Sequence, residues 1–265
     1  MDWQIRIPYS GGPNMFSVTE SMLRYALRAN DAVSSFSLLR EVCHIAARKR
    51  AIAEGRSAVF VWVPKNAGTS LFTNLYEHAG FKKFKTMRSV TRFNNSGPTC
   101  FGHMKISSLM ELGLVDDKFL SESFKFGICR NPYSRTVSLY KYYQLIKRFP
   151  VEFSFKSFVK ALAEDGVTPI GLYNSSSMSL ANPQTHWLLD IPLDYIGRFE
   201  EIENVMSQIY DELRVKNSSN SLPHYRNSGT EDFRTFYDKR SIDIVNDVFE
   251  LDFQNFGYQQ VINGF

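Results

Sequence analysis

Cysteine is scarce in this chain, and its scarcity excludes two kinds of chemistry. Cys43, Cys100 and Cys129 are the only three among 265 residues, and their spacing fits neither a disulfide framework nor a paired metal motif. The simplest setting for such thiols is a reducing one. Long apolar runs are missing as well. No stretch of 18 uncharged apolar residues occurs, so no transmembrane helix is expected. No basic segment followed by an apolar one opens the sequence, which argues against a secretory leader. Internal repeats and low-complexity tracts are absent too. Acidic residues are lacking from two long stretches. Between Phe81 and Lys105 stand Lys82, Lys83, Lys85, Arg88, Arg92 and Lys105, and between Lys125 and Pro150 stand Lys125, Arg130, Arg135, Lys141, Lys147 and Arg148. The net charge of +4 is modest, but this clustering suits an anionic ligand. No nucleic-acid-binding module accompanies it, so nucleic acid is not an expected partner.

What is present begins with the stretch Val59-Phe60-Val61-Trp62-Val63-Pro64-Lys65-Asn66-Ala67-Gly68-Thr69-Ser70. A β-branched, apolar run breaks at Pro64 into a short loop with one cation, one glycine and two hydroxyls. Leu71, Phe72, Leu75, Tyr76 and Ala79 then repeat at helical spacing. Strand, tight loop and helix start, in that order, make an anion site: unpaired N–H groups and the positive end of the helix dipole face the loop. The nucleotide triphosphatase form G-x-x-x-x-G-K-[ST] is absent, because here the lysine opens the loop. A second such unit follows. Phe124 to Cys129 reads as a buried strand, and Arg130-Asn131-Pro132-Tyr133-Ser134-Arg135-Thr136-Val137-Ser138-Leu139-Tyr140 as the turn and helix after it. Pro132 suits a first helical turn, and Arg130 and Ser138 are spaced to reach one phosphate together.

These two motifs, in this order, resemble those of the sulfotransferases that use 3′-phosphoadenosine 5′-phosphosulfate (PAPS), in their carbohydrate O-sulfotransferase branch. Pro-Lys-x-x-Gly-Thr-Ser is similar to that family's 5′-phosphosulfate loop, and R-x-P-x-x-R-x-x-S-x-Y to its 3′-phosphate motif. The resemblance implies that Lys65, Asn66, Ala67, Gly68, Thr69 and Ser70 hold the 5′-phosphosulfate, and Arg130 with Ser138 the 3′-phosphate. It extends over about Ala58 to Tyr258. Asp194 to Glu200 is similar to the family's I-G-R-x-E segment. Leu222 to Ser228 resembles the loop that closes over the nucleotide, which implicates Tyr225 and Arg226. PAPS is then the donor and PAP (3′-phosphoadenosine 5′-phosphate) the product, with no metal implied.

Sulfuryl transfer to a hydroxyl needs a base for the hydroxyl proton and positive charge around the leaving group. Lys65 is the candidate for that charge. Of the five histidines, His103 in Cys100-Phe101-Gly102-His103 resembles the G-H segment of heparan sulfate 2-O-sulfotransferases, whose histidine is the base. His186, beside Trp187, is the second candidate for the base or for an acceptor contact, and Arg135 a further acceptor contact. His44 and His78 read as structural or solvated. A saccharide, which the basic stretches would suit in anionic form, is the expected acceptor; a lipid, a small molecule or a tyrosine are alternatives. Two other classes fit some of the same residues: a P-loop kinase, which would need magnesium and ATP, and a nucleotide-binding module without turnover.

A chain of this length that is 43% hydrophobic can bury one α/β core. The expected fold is three-layer α/β, like P-loop NTPases, with a mostly parallel sheet and helices on both faces. Residues 1–56 read as an N-terminal helical extension that packs on the core, gates the cleft or meets another subunit. It holds a capping box at Ser17 to Glu20 and a helix over about 31–54. Residues 57–265 form the catalytic domain. Helical pattern also covers 154–163 and 230–249, and residues 217–220 read as a loop. A cytoplasmic enzyme of bacterial type, or an excised Golgi luminal domain, accords with these features.

Overall fold

Five strands form one sheet, parallel throughout, in the spatial order β2-β3-β1-β4-β5. They are β1 (Ala58–Val61), β2 (Lys82–Phe84), β3 (Pro98–Phe101), β4 (Phe124–Cys129) and β5 (Tyr195–Arg198). The computed structural model describes residues 32–54, 56–150, 152–164, 180–215 and 232–265. Within these, the longer helices are α1 (Ala32–Ala53), α2 (Gly68–Ala79), α3 (Pro132–Leu145), α4 (Phe155–Ala163), α5 (Ile202–Glu212), α6 (Lys239–Val248) and α7 (Glu250–Phe256). The capping box at Ser17 and the loop at 217–220 lie outside the described residues.

The apolar run at β1 explains why the sheet is covered on both sides. Successive side chains of a strand point to opposite faces. Phe60 and Trp62 turn toward Leu71 and Leu75 of α2 and Val205 and Ile209 of α5. Val59, Val61 and Val63 turn the other way, toward Leu109, Phe119, Leu188 and Phe256. Each such aliphatic or aromatic side chain contributes about 1.5–3 kcal/mol when buried. A third cluster joins α3, α4, α6 and α7 around Tyr140, Phe155, Phe158 and Phe249. The three-layer parallel architecture is therefore the one expected.

Two helical boundaries differ from expectation or sharpen it. The pattern across 230–249 breaks into a 3₁₀ turn, Phe233–Phe236, and α6, because Asp238 caps α6 by accepting from the Ser241 N–H. α1, expected over 31–54, is tied to the sheet end: His44 donates through Nε2 to the Phe81 carbonyl, 2.9 Å away, and Arg48 to the Ser96 carbonyl at 3.1 Å. No helix among the described residues is long and apolar enough to cross a membrane.

Candidate active site

The chain leaves β1 toward the β2 side of the sheet and leaves β4 toward β5, so a crevice opens between the carboxyl ends of β1 and β4. Both anion motifs end there. In the loop after β1, Lys65 (φ 68°) and Ala67 (φ 57°) are left-handed, with Asn66 between them at negative φ. Alternation of this kind turns successive N–H groups into one concavity that binds anions. Left-handed backbone costs roughly 1–2 kcal/mol at each non-glycine residue, so the surrounding packing must hold the loop. Ala67 caps α2 without a side-chain bond, leaving the first N–H groups of the helix to a ligand. Gly68 is not the residue with the unusual φ. A Cβ there would lie 2.1 Å from Trp62 Nε1, so glycine is needed for the indole to pack across the helix start. The Lys65 ammonium sits 4.5 Å from the centre of the Tyr142 ring. Thr69 is exposed and Ser70 nearly buried.

Across the crevice, Arg130 follows β4. Its Nε donates to Ser134 Oγ at 2.9 Å, one Nη1–H donates to the Lys65 carbonyl at 3.0 Å, and its plane lies 4.3 Å from the Phe199 ring centre. Nη2 bonds to nothing among the described residues. Burial pushes this guanidinium down to about 10, with Glu200 pulling the other way, so it stays charged at neutral pH. A desolvated cation with donors to spare is suited to a phosphate. Asn131 caps α3 by accepting from the Tyr133 and Ser134 N–H groups, and Pro132 stands in the first turn as expected. Ser138, one turn beyond Ser134 on α3, is buried. Glu200 accepts from the Asn131 N–H at 2.8 Å and from the Tyr258 hydroxyl at 2.7 Å, so the I-G-R-x-E segment supports the Arg130 turn. Arg198 donates instead to the carbonyls of Phe256 and Gly257.

His103 lies on the other side of the Lys65 loop, just past β3. With the order β3-β1-β4, the carboxyl edge of the sheet presents His103, Lys65 and Arg130 in sequence, with about 10 Å between the outer strands. His103 Nδ1 donates to the Trp62 carbonyl at 3.1 Å, and its ring stands edge-on to the Trp62 indole. A carbonyl can only accept, so the proton is on Nδ1 and the lone pair on Nε2.

Residues 50–259 match the sequence model described as "Sulfotransferase family". The chain belongs to the sulfotransferase family. The structure is similar to the crystal structure of mouse sulfotransferase SULT7A1 complexed with PAP, at 13% identity and a TM-score of 0.50, over 82% of this chain and 90% of that one. That likeness supports the fold. A search of curated proteins finds no match.

Other expected site residues of this sulfotransferase stand differently. Arg135, expected at the acceptor, is 1% exposed; its Nε donates to the Pro64 carbonyl at 3.2 Å and its Nη2 to those of Leu180 and Asn182. It lies beneath the loop, shielded from solvent and turned to backbone carbonyls. The Asn66 side chain also points inward: its Nδ2 donates to the Ile128 carbonyl at 2.7 Å and to Gln184 Oε1 at 2.6 Å. Only its backbone is left to face a donor. His186 is exposed on the short helix Thr185–Leu188, near Lys105 and Arg135, and its ring makes no hydrogen bond among the described residues. His44 is buried and stacked on Tyr76, and His78 is half-buried beside Tyr210. Tyr225, Arg226 and His224 lie outside the described residues. The motif reading missed Gln184 and Asp252, both fully buried beneath the two loops. The Asp252 carboxylate accepts from the N–H groups of Gln184 and Thr185, each at 2.9 Å.

Proposed function

We propose that this sulfotransferase moves the sulfuryl group of PAPS to a hydroxyl of a saccharide by in-line displacement, with His103 as base. One observation carries the donor reading: the concave Lys65 loop and the spare donors of Arg130 meet at a single crevice between β1 and β4. The loop and the start of α2 would hold the 5′-phosphosulfate, and Arg130 with Ser138 the 3′-phosphate. His103 Nε2 would take the acceptor proton as the acceptor oxygen bonds to sulfur. The bridging S–O bond then breaks, and Lys65 would neutralise the charge that forms on the leaving phosphate oxygen. Placement and electrostatics supply most of the rate in this kind of transfer. His103 is favoured over His186 because, among the described residues, a backbone carbonyl fixes the tautomer of His103 and none fixes that of His186.

The acceptor reading rests on a cavity of about 440 Å³ beside the same loop. Half-buried Phe72 and Tyr76 give it an aromatic wall, Lys82, Lys83 and Lys85 a cationic rim, and Thr69 joins it to the donor loop. Aromatic faces suit sugar rings, and three lysines against one carboxylate, Glu41, among the described lining residues suit an anionic sugar. Residues 57–265 would form the catalytic domain and 1–56 its helical extension.

Titration calorimetry with PAP, beside ATP with and without magnesium, tests the donor. Metal-independent PAP binding, tighter than ATP, is expected; preference for magnesium-ATP would overturn the reading. Transfer of labelled sulfate from PAPS to anionic and neutral glycans then tests the acceptor, with the anionic ones expected to be the better substrates.

A further inference from the structure

We propose that Gln184 is a positioning residue that fixes the spacing between the two phosphate sites of the donor, a role that rests on the PAPS reading above. Gln184 stands two residues before His186, the second candidate for the base or for an acceptor contact. In the fold, the Gln184 side chain instead lies under both donor loops, with none of its surface exposed. Its Oε1 accepts from Asn66 Nδ2 at 2.6 Å, in the loop after β1, and from the Arg130 backbone N–H at 2.8 Å, at the end of β4. Its Nε2 donates to the Arg130 carbonyl at 2.8 Å and to Asp252 Oδ2 at 3.2 Å. The amide thus pairs with the backbone of Arg130 as a neighbouring strand would, and reaches on to the other loop. Its orientation is dictated, because the carbonyl and the carboxylate can only accept.

Asp252 of α7 holds the strut from below through the backbone N–H groups of Gln184 and Thr185. A direct link also joins the two sites, from Arg130 Nη1 to the Lys65 carbonyl. That link uses the guanidinium that the phosphate itself must engage. Gln184 acts on the Arg130 backbone and on the buried side of Asn66, so it leaves the ligand-facing groups free. A ligand with two anionic ends gains from the second contact only when the two sites already stand at its own spacing.

Comparing PAP with adenosine 5′-phosphate, which lacks the 3′-phosphate, reads this coupling directly. Gln184→Met keeps the side chain's length while removing its four hydrogen bonds. We expect PAP affinity to fall about tenfold or more, while that for adenosine 5′-phosphate changes by less than about threefold. Asn66→Ala removes one of those four bonds, together with its own bond to the Ile128 carbonyl, and should lower the same ratio by less; the double variant should lower it by less than the product of the two single effects. Equal losses for the two nucleotides, or an unchanged ratio, would overturn the proposal by leaving Gln184 a purely structural role. Should Gln184→Met fail to fold, the ratio in Asn66→Ala decides. Wild-type protein that binds the two nucleotides equally would overturn the donor reading, and this proposal with it.

Discussion

His103 Nδ1 lies 3.1 Å from the carbonyl oxygen of Trp62, and this contact leaves Nε2 as the basic nitrogen of the ring. The same tryptophan packs its indole over Gly68 at the start of the helix that follows the donor loop. One residue therefore links the candidate base to the anion site.

The acid limit of the reaction follows from that placement. Burial holds His103 below its ordinary value of 6.5, against the pull of the Trp62 hydrogen bond, and the charges of Lys83, Arg135 and Lys65 push the same way. On the proposed reading the neutral ring is the base, so it would remain active as pH falls through 6.5 and fail only when protonated at lower pH. The acid limb of kcat/KM against pH should lie below 6.5, and Lys83→Met should move it upward. His103→Gln should lower kcat by about 10²–10⁴-fold and leave PAP affinity nearly unchanged. An acid limb well above 6.5 would point away from His103.

On the proposed reading, Lys65→Ala removes a charge that matters most when the leaving oxygen turns negative. We expect kcat to fall by about 10²–10³-fold, with a smaller loss of PAP affinity and an unchanged circular dichroism spectrum. Steady-state kinetics beside calorimetry separates the two effects.

Gly68→Ala places a methyl group against the indole of Trp62. Overpacking of this kind costs about 1–3 kcal/mol, read as a lower melting temperature. Since Trp62 also carries the carbonyl that holds His103, activity should fall further than the loss of folded protein explains. A variant with wild-type melting and kinetics would show that the indole can move at no cost.

Arg130→Lys keeps a cation and discards the fork that holds Ser134, the Lys65 carbonyl and, in our reading, the 3′-phosphate. PAP should bind more weakly by about 1.5–3 kcal/mol, while adenosine 5′-phosphate should be little affected. An equal loss for both would place Arg130 at the 5′ end.

Arg135→Met should act on stability and not on acceptor choice. It strips three carbonyls of their donor and leaves the buried Asp252 without a nearby cation. A loss of about 3 kcal/mol or more is expected in chemical denaturation. A folded variant with only a raised acceptor KM would return Arg135 to the acceptor site.

Local signals in the sequence determined the parts of this protein. Apolar runs at 58–63 and 124–129, each broken by a turn and followed by a helical pattern, give two strand–loop–helix units whose N–H groups await an anion, because such geometry is set within about a dozen residues. Family resemblance added which anion to expect. The tertiary structure decided how the parts meet. Strand order places β4 beside β1, so that Lys65 and Arg130 share a crevice although 65 positions separate them in the chain. Burial turns Arg135 and Asn66 inward, whereas their residue types alone suggest ligand contacts. Gln184 and Asp252 come from segments with no motif of their own, and a hydrogen-bonded strut across 118 positions, from Asn66 to Gln184, leaves no periodicity to read. Only the fold brings its ends within 3 Å, because hydrogen bonding depends on distance in space and not on separation along the chain.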